Sequence, residues 1–166
     1  MKMREVSEKD RLFYFERHFF TLDGLWMIET EEETDWNTAL KIDTEVWKRL
    51  LKIIIRRLKK YLNLKENSLV NLIEILTFRW SVEKWKYEIV KKEPDEVNIH
   101  VEKCPYHEIM KRNPERHDKI PLICKDMCIP FYEDIVKNFN SKISLDRKKY
   151  QGLGDPICDF HFTVEE

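Results

Sequence analysis

At 166 residues with a formal charge of −1, the chain has the length of one ordinary domain and no electrostatic reason to bind nucleic acid. Its 42% hydrophobic and 12% aromatic content excludes wholesale disorder, and a chain of this size needs neither a disulfide nor a metal merely to fold. The bias towards Lys, Glu and Ile, with a single Ala (Ala39) and a single Gln (Gln151), fits a thermophile and fits an AT-rich genome equally well.

The predicted elements begin with a helix over residues 10–33. Leu12, Phe15, Phe19, Leu22, Leu25, Trp26 and Ile28 recur there at three- and four-residue steps. Gly24 interrupts it and predicts a bend or a close helix contact. Thr34 or Asp35 caps a second helix carrying Trp36, Leu40, Val46, Trp47, Leu51 and Leu58, which stops near Asn63. A third helix starts after Ser68 and presents Leu69, Leu72, Ile73 and Leu76. The period then changes to two. Trp85, Tyr87 and Ile89 alternate with charged residues, as do Val97, Ile99 and Val101, predicting a hairpin around Glu93-Pro94-Asp95. A short helix follows Cys104-Pro105, and a longer one runs from Pro121 to about Asn138. Ile143 and Leu145 suggest a third strand, and residues 158–162 a last one after the turn at Gly152-Leu153-Gly154-Asp155-Pro156.

The expected fold class is therefore α+β: a single domain, residues 1–166, with a helical half (1–80) packed on a small antiparallel sheet crossed by one long helix in a cysteine-bearing half (81–166). The charged start MKMREVSEKD has no apolar core of a signal peptide, and no apolar run is long enough to span a bilayer. A cytoplasmic protein with no membrane partner is expected. In a reducing compartment its cysteines read as thiols or metal ligands before disulfides.

All four cysteines, Cys104, Cys124, Cys128 and Cys158, fall in the last 63 residues. Cys124 and Cys128 stand four apart on a predicted helix, so their sulfurs share a face at roughly 6 Å. Cys104 and Cys158 stand where one strand ends and another begins. Four thiolates suit tetrahedral zinc. They suit a [4Fe–4S] cluster as well, and Cys104-Pro105 resembles the Cys-Pro that closes such sites. A set of reactive thiols, or plain apolar packing, stays open beside both, because the spacing lacks paired C-x2-C knuckles. His107, one turn past Cys104, is the substitute ligand if one thiol is not used. His100 also lies within reach of the cysteine region, His161 alternates away from it, and His18 and His117 have no constellation around them.

Among the carboxylates, Asp23, Glu31, Glu32 and Asp43 lie on otherwise apolar helices, where burial would make an acid or base. The five tryptophans read mainly as packing, and as an aromatic pocket for a flat ligand in the alternative. Lys48-Arg49 and the basic run at 56–60 fall at a helix C-terminus, where cations complement the dipole.

Cys104-Pro105-Tyr106, Ile123-Cys124 through Cys128, and Gly152-Leu153-Gly154-Asp155-Pro156-Ile157-Cys158-Asp159-Phe160-His161-Phe162 resemble the C-terminal pattern of two related groups. One is the L-2-amino-thiazoline-4-carboxylic acid hydrolase-like family. The other is the 4-vinyl reductase domain, an α+β module that binds small molecules and carries a cysteine-based metal site. The upstream residues 19–26 and 42–47 resemble an uncharacterised prokaryotic family sharing this half. The resemblance implies Cys104, Cys124, Cys128 and Cys158 as the functional set, with a small-molecule ligand beside them, and does not by itself transfer the hydrolase activity. Three functions follow as expectations: a zinc-binding four-cysteine protein, a hydrolase of a cyclic amide- or thiazoline-like substrate using Asp155 or His107 as proton carrier, and an iron–sulfur redox or sensor protein.

Overall fold

The computed structural model describes residues 5–165 and confirms the α+β class. Three long helices come first: α1 (Glu8–Glu33), α2 (Trp36–Tyr61) and α3 (Leu69–Val82). Ser7 caps α1 in a reciprocal box with Asp10, and Ser68 caps α3 by accepting the Asn71 amide. Asp35 is the cap of α2, its Oδ1 accepting the amides of Asn37 at 2.8 Å and Thr38 at 3.0 Å. Gly24 does not break α1. The helix passes through it, and a Cβ placed there would meet nothing within 4 Å, so the close contact is not present.

The chain divides into two compact units, one ending at Asp43 and one running from Thr44. In the first, Met27, Ala39 and Leu40 are the buried apolar side chains. The second holds the sheet and the core. Its strands are β1 (Lys86–Lys92), β2 (Glu96–Lys103), β3 (Ile143–Asp146) and β4 (Cys158–Val164), in the antiparallel order β1-β2-β4-β3. Register places Val97 opposite Phe162, Ile99 opposite Phe160 and Val101 opposite Cys158. Alternation in both strands turns these six side chains to the same buried face.

Against that face pack α3, the second half of α2 with Trp47 and Leu51, and α6 (Ile129–Phe139) with Phe131, Tyr132, Ile135 and Val136. Trp80 is its hub. It stacks on Trp85 at 5.3 Å, meets Phe160 at 5.0 Å, and donates Nε1–H to the Tyr132 hydroxyl at 3.0 Å. Most of the tryptophan reading thus resolves as packing for this pair.

Between β2 and α6 the chain makes α4 (Pro105–Met110), a short turn at Pro114–Arg116 and α5 (Lys119–Ile123). The long helix expected from Pro121 is therefore not one regular element. Cys124–Cys128 forms a turn of π-helix between α5 and α6, closed by the Ile129 amide on the Cys124 carbonyl. Pro130 supplies the reason: it has no N–H for the Asp126 carbonyl, and its ring would clash there, so the ladder widens by one residue.

Candidate four-cysteine site

Strand pairing builds the site. Because β2 and β4 run antiparallel with Val101 against Cys158, the end of β2 and the start of β4 lie at the same end of the sheet. Cys104 follows β2 directly and is the N-cap of α4, where Pro105 starts the helix and turns the chain. The π-helical turn brings Cys124 and Cys128 to the same place, and a short turn at Gln151–Leu153 packs beside them. Each of Cys104, Cys124 and Cys158 feels the charge of Cys128, and Cys104 and Cys124 both feel that of Cys158. The four cysteines expected from the sequence therefore lie at the same end of the sheet, three of them within electrostatic reach of Cys128.

All four are free thiols, Cys158 buried and the others half-buried. Burial pushes the Cys124 thiol up to about 12, with the charges of Cys128 and Cys158 adding to it. Burial likewise raises Cys104 far above an ordinary thiol, and raises Cys158. Backbone amides act in the opposite sense by donating towards sulfur: His107 and Tyr106 to Cys104, Gly152 to Cys124, and Gln151 to Cys158 at 3.2 Å.

Arg147 and Gln151 complete the surroundings, and neither was singled out by the sequence. Gln151 accepts the Cys104 amide on Oε1 at 3.3 Å and donates Nε2–H to Glu102 at 2.7 Å and Pro156 at 3.3 Å. That one side chain ties the end of β2 to the loop before β4. Its rarity was the available signal, since it is the only Gln in the chain. Arg147 is half-buried. Its Nη1 reaches Cys128 Sγ at 3.5 Å, its Nε donates to the Asp159 carbonyl at 3.0 Å, and its guanidinium lies 3.8 Å from the Phe160 ring and 4.6 Å from Tyr150. Burial opposes its cationic form, and Cys128, then Cys158 and Tyr132, outweigh it and raise its pKa.

Gly152 marks how tightly this end is packed. A Cβ there would lie 2.1 Å from Cys124 Sγ and 2.9 Å from Cys124 Cβ. Gly154 serves another need, taking φ +100 to end the turn.

The histidines lie outside this arrangement in different ways. His107 offers its amide to Cys104, whereas its imidazole has Lys111 and Glu108 as charged neighbours, and burial lowers its pKa. His161 bonds Glu96 at 3.0 Å, His117 faces the Lys111 carbonyl, and His18 the Tyr14 carbonyl. His100 pairs across the sheet with Asp159. The Asp155 carboxylate accepts the Tyr150 amide at 2.8 Å and closes the loop. Of the carboxylates, Asp43 has its pKa raised to about 7, by burial first and by the charge of Asp23 second. A shallow depression of about 620 Å³ lined by residues including Asn67, Lys137 and Asn140 lies at the C-terminal end of α6, not at the cysteines.

Among the described residues no three His, Cys, Asp or Glu side chains stand as a group already arranged to hold a metal ion. Four cysteines, four amides directed at sulfur and a half-buried guanidinium lie at this end of the sheet. Also among the described residues, no helix is long and apolar enough to cross a membrane.

No curated protein matches the chain. A family model does, over residues 14–162, and that span takes in α2, β1 to β3, most of β4 and all four cysteines. The chain thus belongs to the family described as L-2-amino-thiazoline-4-carboxylic acid hydrolase.

Proposed function

We propose that Cys104, Cys124, Cys128 and Cys158 bind one thiophilic metal ion, zinc, and that this site organises a small-molecule-binding protein of the hydrolase family. The observation that carries the reading is Arg147: a half-buried cation whose Nη1 lies 3.5 Å from Cys128 Sγ. A guanidinium packed among Phe160, Tyr150 and Tyr132 needs an anion there. Protonated thiols do not supply one; metal thiolates do, because binding a metal removes the thiol protons. The raised pKa values argue the same way against free nucleophilic cysteines, since a thiol near 12 holds almost no thiolate at neutral pH.

With all four thiolates bound, zinc is a closed structural centre. It would hold the end of the sheet to the π-helical turn, and this chain's own residues would do any chemistry elsewhere. The family match favours a second reading, hydrolysis of a cyclic amide- or thiazoline-like substrate with Asp155 or His107 as proton carrier. A [4Fe–4S] cluster is the third.

Metal analysis of protein purified without oxygen separates these. One zinc per chain and no colour is the expected result. Bound iron with a broad visible absorption would replace zinc by the cluster. Metal-free protein whose stability is unchanged when all four cysteines become serine would overturn every metal reading.

A further inference from the structure

Arg79, in the last turn of α3, is 5% exposed, and its hydrogen-bonding capacity is only partly used. Its Nε donates to Glu83 Oε1 at 2.7 Å and its Nη2 to the Tyr106 hydroxyl at 3.3 Å. The second Glu83 oxygen accepts Trp85 Nε1–H at 3.0 Å. Nη1 is buried and, among the described residues, meets no acceptor. The Trp47 ring, centred 5.5 Å from Cζ, adds a cation–π attraction and offers no lone pair. A buried donor without an acceptor is costly, and the few that native chains keep call for a group that completes them. Three aromatic side chains share this place: Trp47 and Tyr106 meet edge to face at 5.4 Å, and Trp85 lies 6.0 Å from Tyr106. All five residues belong to the unit that runs from Thr44, and they come from α2, α3, the link from α3 to β1, and α4.

We infer that Arg79 Nη1 anchors a small ligand by an uncharged carbonyl oxygen, of the kind an amide or cyclic amide presents. The inference rests on the small-molecule-binding part of the function proposed above and is independent of the metal. Charge selects the acceptor. Glu83, its side chain 11% exposed, already neutralises the guanidinium. A ligand carboxylate would set a second anion against one cation in an aromatic surrounding, where an unbalanced charge is expensive. A carbonyl oxygen brings two lone pairs and no charge. The rings select the rest, since flat groups pack against aromatic faces and edges. Nη1 is covered by its neighbours, so a ligand enters by displacing a wall. Tyr106 is the wall suited to move, being half-buried on a six-residue helix with no fully buried side chain. Its bond to Arg79 lies just beyond the usual N–H···O range.

Calorimetric titration of the full chain with benzamide and with benzoate tests this, because the two probes share a ring and differ in charge. Benzamide is expected to bind with a Kd of about 1 mM, and benzoate at least tenfold more weakly. Arg79→Lys keeps a cation beside Glu83 and lacks the Nη1 donors, so it should bind benzamide at least tenfold more weakly, with wild-type circular dichroism. Should that variant not fold, Arg79→Met/Glu83→Gln removes both charges together, strands neither, and should show the same loss. Benzamide that fails to bind wild type at about 20 mM, benzoate that binds as tightly, or an affinity that survives the variants overturns the inference. Zinc content measured on the same samples keeps the two readings apart: wild type that holds zinc and ignores benzamide sinks this site and leaves the metal reading standing.

Discussion

Replacing Gly152 by alanine perturbs the site through one methyl group. The added Cβ would stand 2.1 Å from Cys124 Sγ, 2.9 Å from Cys124 Cβ and 3.3 Å from Ile120 Cγ2. Ordinary carbon contacts lie at about 3.5–4.0 Å, so the overlap exceeds an ångström. Rotating the thiol away relieves the first contact but not the second, because Cβ is fixed to the backbone of the π-helical turn. Either that turn or the Gln151–Leu153 turn must move, and the latter is held by the Gln151 bonds to Cys104, Glu102 and Pro156. Overpacking of this kind typically costs about 1–3 kcal/mol, and a clash with backbone on both sides belongs at about 3. For a chain of this length that is a fall of roughly 10 °C in Tm. The displaced Cys124 should also weaken zinc binding, measured by competition with a chelator. Gly154→Ala is the matched control, since φ +100 there strains an alanine while its Cβ would meet nothing within 4 Å. It should cost stability and leave zinc affinity alone. The reasoning fails if Gly152→Ala melts with wild type, or if Gly154→Ala harms zinc binding more.

Two further variants test the electrostatics. Asp43 has a folded pKa of about 7 against an ordinary 3.8, so its contribution is fully present below the lower value and is lost as pH rises to the upper one. The loss is at most about 4 kcal/mol, shared with Asp23 as a coupled pair. Asp43→Asn should therefore match wild type in urea at about pH 4 and exceed it by a few kcal/mol at about pH 8; a gap independent of pH would sink the assignment. Arg147→Met keeps an apolar stem against Phe160 and removes the cation. Metal-free protein should lose no more than about 2 kcal/mol, because the charge goes with its desolvation cost, whereas zinc affinity should drop at least tenfold. Equal effects on both would make Arg147 a packing residue only.

What the sequence revealed of the site, and what it hid, divides along one physical line. Local periodicity was legible: alternation in residues 97–101 and 158–162 predicted two half-buried strands, and their register now puts Val101 opposite Cys158. The four-residue spacing placed Cys124 and Cys128 on one face, and that survives the change from α to π, although the change itself was readable only from Pro130. The insertion of β4 between β2 and β3 was not legible, because strand order is decided by burial across the whole sheet. Cys104 meets Cys158 only through that order. Arg147 and Gln151 were hidden for a related reason. They sit in an irregular loop, where a side chain's role comes from single hydrogen bonds and not from a repeat, so no pattern flags it. The cysteines could therefore be named from the chain, but the cation beside Cys128, on which the proposal of metal thiolates rests, could not. That cation is Arg147, whose position no spacing announced.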